Sequence, residues 1–165
     1  MEKELLVEMR QAIKKNDINK VKMIVEKNTW IVNEVTVFGT FLHDAANKGF
    51  IDIAQYLIDC GIDVNKKAGT CDASAITEAA FKGHLDMVKL LYQNGTILDV
   101  STLARNPLFA AIYNNHFDVV KYLVEKGIDL SPSYGLGDYD SLNAYQYAKL
   151  YGRTEIANYL KERMT

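Results

Sequence analysis

The sequence predicts an all-α solenoid: short helix–turn–helix units stacked side by side and joined by β-hairpin-like loops. Three observations predict it. Similar segments recur, "HDAANKGFIDIAQYLIDCGIDVN" from His43, "TEAAFKGHLDMVKLLYQNGTILD" from Thr77 and "FAAIYNNHFDVVKYLVEKGIDLS" from Phe109. Their spacing is nearly constant: Gly49 to Gly83 and Gly61 to Gly95 are both 34 positions, and Gly95 to Gly127 is 32. Within each segment the apolar residues share one helical face, and the same pattern persists in degraded form at both ends of the chain.

Taken in order, residues 1–36 read as an N-terminal capping repeat. There "RQAIKKNDINKVKMIVEKN" puts Lys20, Val21, Ile24 and Val25 on the apolar stripe, with Asn16 and Asn28 in the places that later copies give to glycine. Residues 37–70 form the next unit. Its first helix carries the small pair Ala45 and Ala46 before Gly49, and its second carries Ile53, Ala54, Leu57 and Ile58 before Gly61. Small side chains let neighbouring helices approach closely, and a glycine suits the left-handed backbone at a helix end. Residues 71–103 repeat the arrangement with Ala79, Ala80, Gly83 and the stripe Met87, Val88, Leu91 and Tyr92. Residues 104–138 repeat it with Val119, Val120, Leu123 and Val124. Residues 139–165 keep Gly152, Ile156, Ala157 and Leu160 and then turn polar at Lys161, Glu162 and Arg163, as a C-terminal capping repeat must for solubility. The stretch "NKKAGTCDAS" is a hairpin tip with Gly69 supplying the turn. Extra length falls in "SPSYGLGDYDS", residues 131–141, which predicts a longer and more mobile hairpin.

These segments resemble the ankyrin repeat family, whose unit of about 33 residues carries T-P-L-H-x-A at its first helix. The corresponding stretches are "TFLHDAA" from Thr40, "SAITEAA" from Ser74, "NPLFAAI" from Asn106 and "NAYQYAK" from Asn143, and the resemblance covers roughly residues 5–163. It implies the fold, a hydrogen bond from the signature histidine, His43, to the turn between units, and a concave face that meets the partner. It does not name that partner, because one fold hosts many binding surfaces.

Composition narrows the function. A chain of 165 residues with 48% hydrophobic residues has enough apolar surface for one domain with a core. A net charge of −2 argues against phosphate binding over the whole surface. Two cysteines, Cys60 and Cys71, are too few for a disulfide framework or a zinc cluster and read as free thiols. The N-terminus lacks the apolar run of a signal peptide and no segment has the length of a membrane span, which predicts a cytoplasmic protein.

Two His–x–Asp pairs, His84 with Asp86 and His116 with Asp118, suggest acid–base chemistry. They occupy equivalent places in successive repeats, however, and in the same places Asp52 and Glu155 stand beside Phe50 and Arg153. A carboxylate at the start of a helix is favoured by the helix dipole with or without a histidine. A metal site joining His43 to His84 and His116 is disfavoured because the first lies on a different helix face. No nucleophile elbow, phosphate loop, zinc-protease motif or Cys-x-x-Cys occurs. The expectation is a non-enzyme with no catalytic residues, cofactor or metal.

The candidate contact residues are the two variable positions before each Gly or Asn at the end of the first helix: Lys14 and Lys15, Asn47 and Lys48, Phe81 and Lys82, Tyr113 and Asn114, Leu150 and Tyr151. The hairpins add Phe38, Leu103, Arg105, Tyr134 and Tyr139. Aromatic residues in places that the stack leaves exposed suit an interface. The sequence therefore predicts a monomer that binds another folded protein, its lysines steering an acidic region and its aromatics anchoring it. With repeats and caps alone to work with, it would act by occupying the partner, as an inhibitor or a neutralising protein of the immunity or antitoxin kind. Rival readings are single-stranded nucleic-acid binding through the lysines and aromatics, and a hydrolase using the His–Asp pairs. Net acidity and scarce arginine disfavour the first, and the repeated placement disfavours the second.

Overall fold

The expected helices form in pairs in a computed structural model that describes residues 2–164. Helices α1 (Glu2–Lys14) and α2 (Ile18–Lys27) are followed by a 3₁₀ turn, Thr29–Asn33. Next come α3 (Phe41–Lys48) with α4 (Ile51–Asp59), α5 (Ala75–Lys82) with α6 (Leu85–Gln93), and α7 (Pro107–Tyr113) with α8 (Phe117–Glu125). An antiparallel pair, β1 (Ser133–Leu136) and β2 (Tyr139–Asn143), precedes α9 (Ala144–Leu150) and α10 (Thr154–Lys161). No described helix is long and apolar enough to cross a membrane.

Local chemistry sets the boundaries. Asn106 caps α7 by accepting from the Leu108 amide at 2.9 Å, and Pro107 opens that helix where its missing N–H costs nothing. Asn143 and Gln146 exchange bonds across the first turn of α9 as a capping box. Gly49 and Gly83 close α3 and α5 with φ of +71° and +75°, and Asn16 and Asn115 take the same left-handed conformation at +54° and +63°.

The core lies between the helical layers. Ala45, Ala46, Ala79 and Ala80 are completely buried, and with nothing larger between them the first helices of successive pairs pack together far more extensively than the second helices do. A stack drawn tight along one side bends toward it, so the first helices line the concave face. On the second helices Ile53, Ala54, Leu57, Met87, Val88, Leu91, Val119, Val120 and Leu123 are buried, while the last member of each stripe, Ile58, Tyr92 or Val124, is half-buried at its edge.

Two expectations need correcting, and a third element gains detail. Lys20 does not join the buried stripe of α2; it is half-buried, and its ammonium pairs with Glu8 of α1 at 2.9 Å. Asn28 is not left-handed, with φ of −144°, because the chain continues directly into the 3₁₀ turn and no reversal is needed there. Residues 131–141 carry the longer hairpin that their extra length predicts. They build the β1–β2 hairpin, and the Tyr134 hydroxyl anchors it by donating to the Val100 carbonyl at 2.5 Å while accepting from Asn106 at 3.1 Å.

Neighbouring repeats complete one another's backbone bonding. The imidazole of His43 donates from Nε2 to the Ala73 carbonyl at 2.9 Å; a carbonyl only accepts, so the hydrogen is on Nε2 and Nδ1 accepts from the Thr40 amide. One repeat later Thr77 takes the same role, donating to the Arg105 carbonyl at 2.8 Å. The Asn33 amide brackets the next connection by donating to Gly61 and accepting from the Asp63 N–H, and Asn65 does the same to Gly95 and Ile97. Lys67 reaches across to Asp99 at 2.5 Å, and this bond, aided by Ser101, lowers the Asp99 carboxyl to about 2.

Two outcomes follow. A Cβ at Gly83 would stand 2.3 Å from Nδ1 of His116, whereas one at Gly95 would meet nothing within 4 Å, although both have positive φ. Gly83→Ala should therefore lose more than the roughly 1–2 kcal/mol of left-handed strain expected of Gly95→Ala, a gap visible in urea or thermal unfolding. For Asp99, a depressed carboxyl stabilises the fold above its unfolded pKa near 4 and loses that contribution as pH falls toward 2. Lys67→Ala should flatten the fall in stability between those limits, measured by unfolding across acid pH.

Candidate protein-binding face

On the concave face the residues that end the first helices stand in a column. Phe81 and Tyr113 are 39% and 41% exposed, and their rings are stacked at 6.1 Å with an interplanar angle of 14°. Tyr113 meets the half-buried Tyr151 edge-on at 4.9 Å, Tyr151 meets Tyr147 at 4.7 Å, and Tyr147 meets Phe109 at 4.9 Å. The aromatic run therefore begins in solvent at Phe81 and ends in the core at Phe109. Beside it is a groove of about 310 Å³ whose walls include Phe81, Tyr113, Leu103, Ala110 and Tyr147.

The N-terminal end of the face is charged. Lys14, Lys15 and Lys48 are exposed as expected, but they are not alone. Arg10 donates to Asp44 at 2.6 Å, and burial pushes the Asp44 carboxyl above its ordinary range despite the guanidinium beside it. Glu78 lies between this end and the aromatic groove and accepts from the Asn47 amide at 3.0 Å. The face is thus mixed rather than a plain ladder of lysines.

The remaining expected contacts are placed unevenly. Leu103 lines the groove, and Phe38, 68% exposed, borders a second apolar hollow with Leu6, Val7, Val35 and Val37 at the N-terminal edge. Leu150 and Tyr139 are exposed. Arg105 is held by an ion pair to Asp72 and a bond to the Asp72 carbonyl; Asn114 donates to the Phe81 carbonyl at 2.6 Å; Tyr134 holds its hairpin. Lys82 sits over the Phe81 ring with its ammonium 5.4 Å from the centroid.

The paired histidines have a structural task. His84 and His116 stand just before α6 and α8 and reach back to the preceding repeat, each donating from Nε2 at 3.1 Å, His84 to the Asn47 carbonyl and His116 to the Phe81 carbonyl. Arg153, in the equivalent place, donates to the Tyr113 carbonyl at 2.6 Å. A guanidinium, which never acts as a base at ordinary pH, fills the same role, so the bond serves the stack. Asp86 and Asp118 are exposed in the first turns of their helices. Cys60 and Cys71 are free thiols, and among the described residues no three His, Cys, Asp or Glu side chains converge on a metal-sized site.

Comparison with known proteins agrees with this architecture. A family model described as ankyrin repeats, in three copies, matches residues 42–134 and again 76–164. The chain belongs to the ankyrin repeat family. An ankyrin repeat protein of fowlpox virus (strain NVSL), FPV034, is 32% identical over 124 residues, covering 74% of this chain and 29% of that protein. This ankyrin chain therefore spans under a third of its relative's length. Ankyrin repeats generally mediate protein–protein interaction, and the family is typically non-enzymatic.

Sequence reasoning missed part of the face. Counting only the two positions before each Gly or Asn overlooked the variable x of the T-P-L-H-x-A signature, which supplies Asp44, Glu78, Ala110 and Tyr147. The signal was available, since an acidic residue in the first two copies becomes small and then aromatic in the next two.

The exposed and buried rings should separate by stability. Phe81→Ala should cost under about 1 kcal/mol, whereas Tyr147→Ala, which empties a site only 6% exposed, should cost about 3 kcal/mol. Equal losses in chemical unfolding would make Phe81 a core residue.

Proposed function

We propose that this ankyrin repeat protein is a non-enzymatic binding protein that recognises a folded protein through its concave face and acts by occupying it, as an inhibitor or neutralising partner of the immunity or antitoxin kind. The observation that carries the reading is the stacked, solvent-exposed pair Phe81 and Tyr113 at the edge of an apolar groove. Exposed rings held in place supply large contact area at low entropic cost, which is why aromatics dominate interface energetics. Lys14, Lys15 and Lys48 at the opposite end would steer an acidic region of the partner and set its orientation. Asp44 and Glu78 on the same face count against a nucleic-acid strand, which would meet two carboxylates along its path. The same reading takes the chain to be monomeric and cytoplasmic.

Affinity capture from the native source tests it, comparing the wild type with a Phe81→Ala, Tyr113→Ala double variant of matched unfolding behaviour. Each truncation should weaken binding by about 2 kcal/mol, roughly 30-fold. A protein retained by the wild type and lost by the variant supports the concave face. Identical captures move the interface elsewhere.

A further inference from the structure

Among the described residues, Glu78 is the one charged side chain lining the aromatic groove. Its carboxylate accepts from the neutral Asn47 amide at 3.0 Å, and no described cation pairs with it. The contrast with Asp44, the same position one repeat earlier, is direct, since Asp44 has Arg10 at 2.6 Å. Lys82, one turn further along α5, lies over the Phe81 ring instead and is not among the groove residues. Glu78 is half-buried, so a partner surface closing over this groove would strip the remaining water from an unpaired carboxylate. That is a cost to binding unless the partner brings a cation.

Resting on the concave-face reading above, we infer that the groove receives an arginine side chain of the protein partner, its guanidinium meeting Glu78 and its stem lying along Phe81 and Tyr113. Carboxylate and aromatic faces attract the same charge, and Phe81 already accepts a cation at its ring. A guanidinium suits the setting better than an ammonium. It is planar, more weakly hydrated and forked to match a carboxylate with two parallel bonds, and its apolar stem fits the largely apolar walls, Leu103, Ala110 and Tyr147. The partner surface would then be acidic opposite Lys14, Lys15 and Lys48 and carry one basic side chain opposite Glu78.

The probe is N-acetyl-L-arginine amide, titrated against the full chain by NMR of its aromatic rings, with N-acetyl-L-citrulline amide as the uncharged match. The ring signals of Phe81 and Tyr113 should move with a Kd on the order of millimolar for arginine and about tenfold weaker for citrulline. Glu78→Gln keeps the shape and the Asn47 bond and should abolish that preference, while Phe81→Ala should weaken both probes, arginine at least as much as citrulline. Equal binding of the two probes overturns the inference, as does a preference that survives Glu78→Gln, or no ring response at about ten times the expected Kd. The two readings fail separately. If capture is lost in the double variant but citrulline matches arginine, the face stands and the arginine falls. If capture persists without Phe81 and Tyr113, the face itself is wrong, whatever the titration shows.

Discussion

One hydrogen bond, repeated along the stack, is the constraint from which the rest of the structure follows. A short helix ends with carbonyls that have no partner within it, and a unit of two helices is too small to supply one. In this chain the next unit supplies it, through His84 to Asn47, His116 to Phe81 and Arg153 to Tyr113. A donor at that point also faces the negative end of a helix dipole, which favours the cationic Arg153 as well as the imidazoles. The bond requires the chain to turn tightly between the first and second helices, and the positive φ values of Gly49, Gly83, Asn115 and Gly152 are the record of that turn.

The accepting carbonyls belong to Asn47, Phe81 and Tyr113, whose side chains lie on the concave face. The interaction that joins two repeats therefore also fixes the backbone beneath the proposed anchors. Binding through such residues orders little that is not already ordered, and the entropy that a mobile loop would lose on association is largely spent in folding. The face gains a fixed division along its length: ion-paired and charged around Arg10, Asp44 and the lysines, apolar and aromatic from Phe81 onward, with Glu78 at the junction.

How much of this was legible in the sequence depended on whether a feature belonged to one repeat or to two. The two-helix unit, the alanine pairs and the buried stripe are properties of a single repeat and were legible in spacing alone. The placement of Phe81 and Tyr113 in solvent followed from the same register. Apart from the His43 bond that the family resemblance implies, the bonds between units escaped, because a bond from Asn65 to Gly95 or from Tyr134 to Val100 has no periodic signature. The extra length of residues 131–141 predicted the hairpin there, but not the tyrosine hydroxyl whose two partners hold the strand pair. The acidic positions Asp44 and Glu78 were not legible as part of the face because they stand at the x of the signature, a full turn before the variable pair that closes the helix.

The same reasoning explains why the unpaired carboxylate belongs at Glu78 and not at Asp44. At the N-terminal end of the stack Arg10 occupies the signature-histidine position, close enough to satisfy the acid in the next repeat. One repeat on, that position is His43, whose imidazole is fully engaged by Thr40 and Ala73 and has no hydrogen left to offer Glu78. Locking the hairpin and neutralising the acid compete for one side chain, and the hairpin wins. On the proposed reading, the charge left over is what the binding face has to offer a cationic partner, so the demand for stacking bonds and the chemistry of recognition are set by the same position in the repeat.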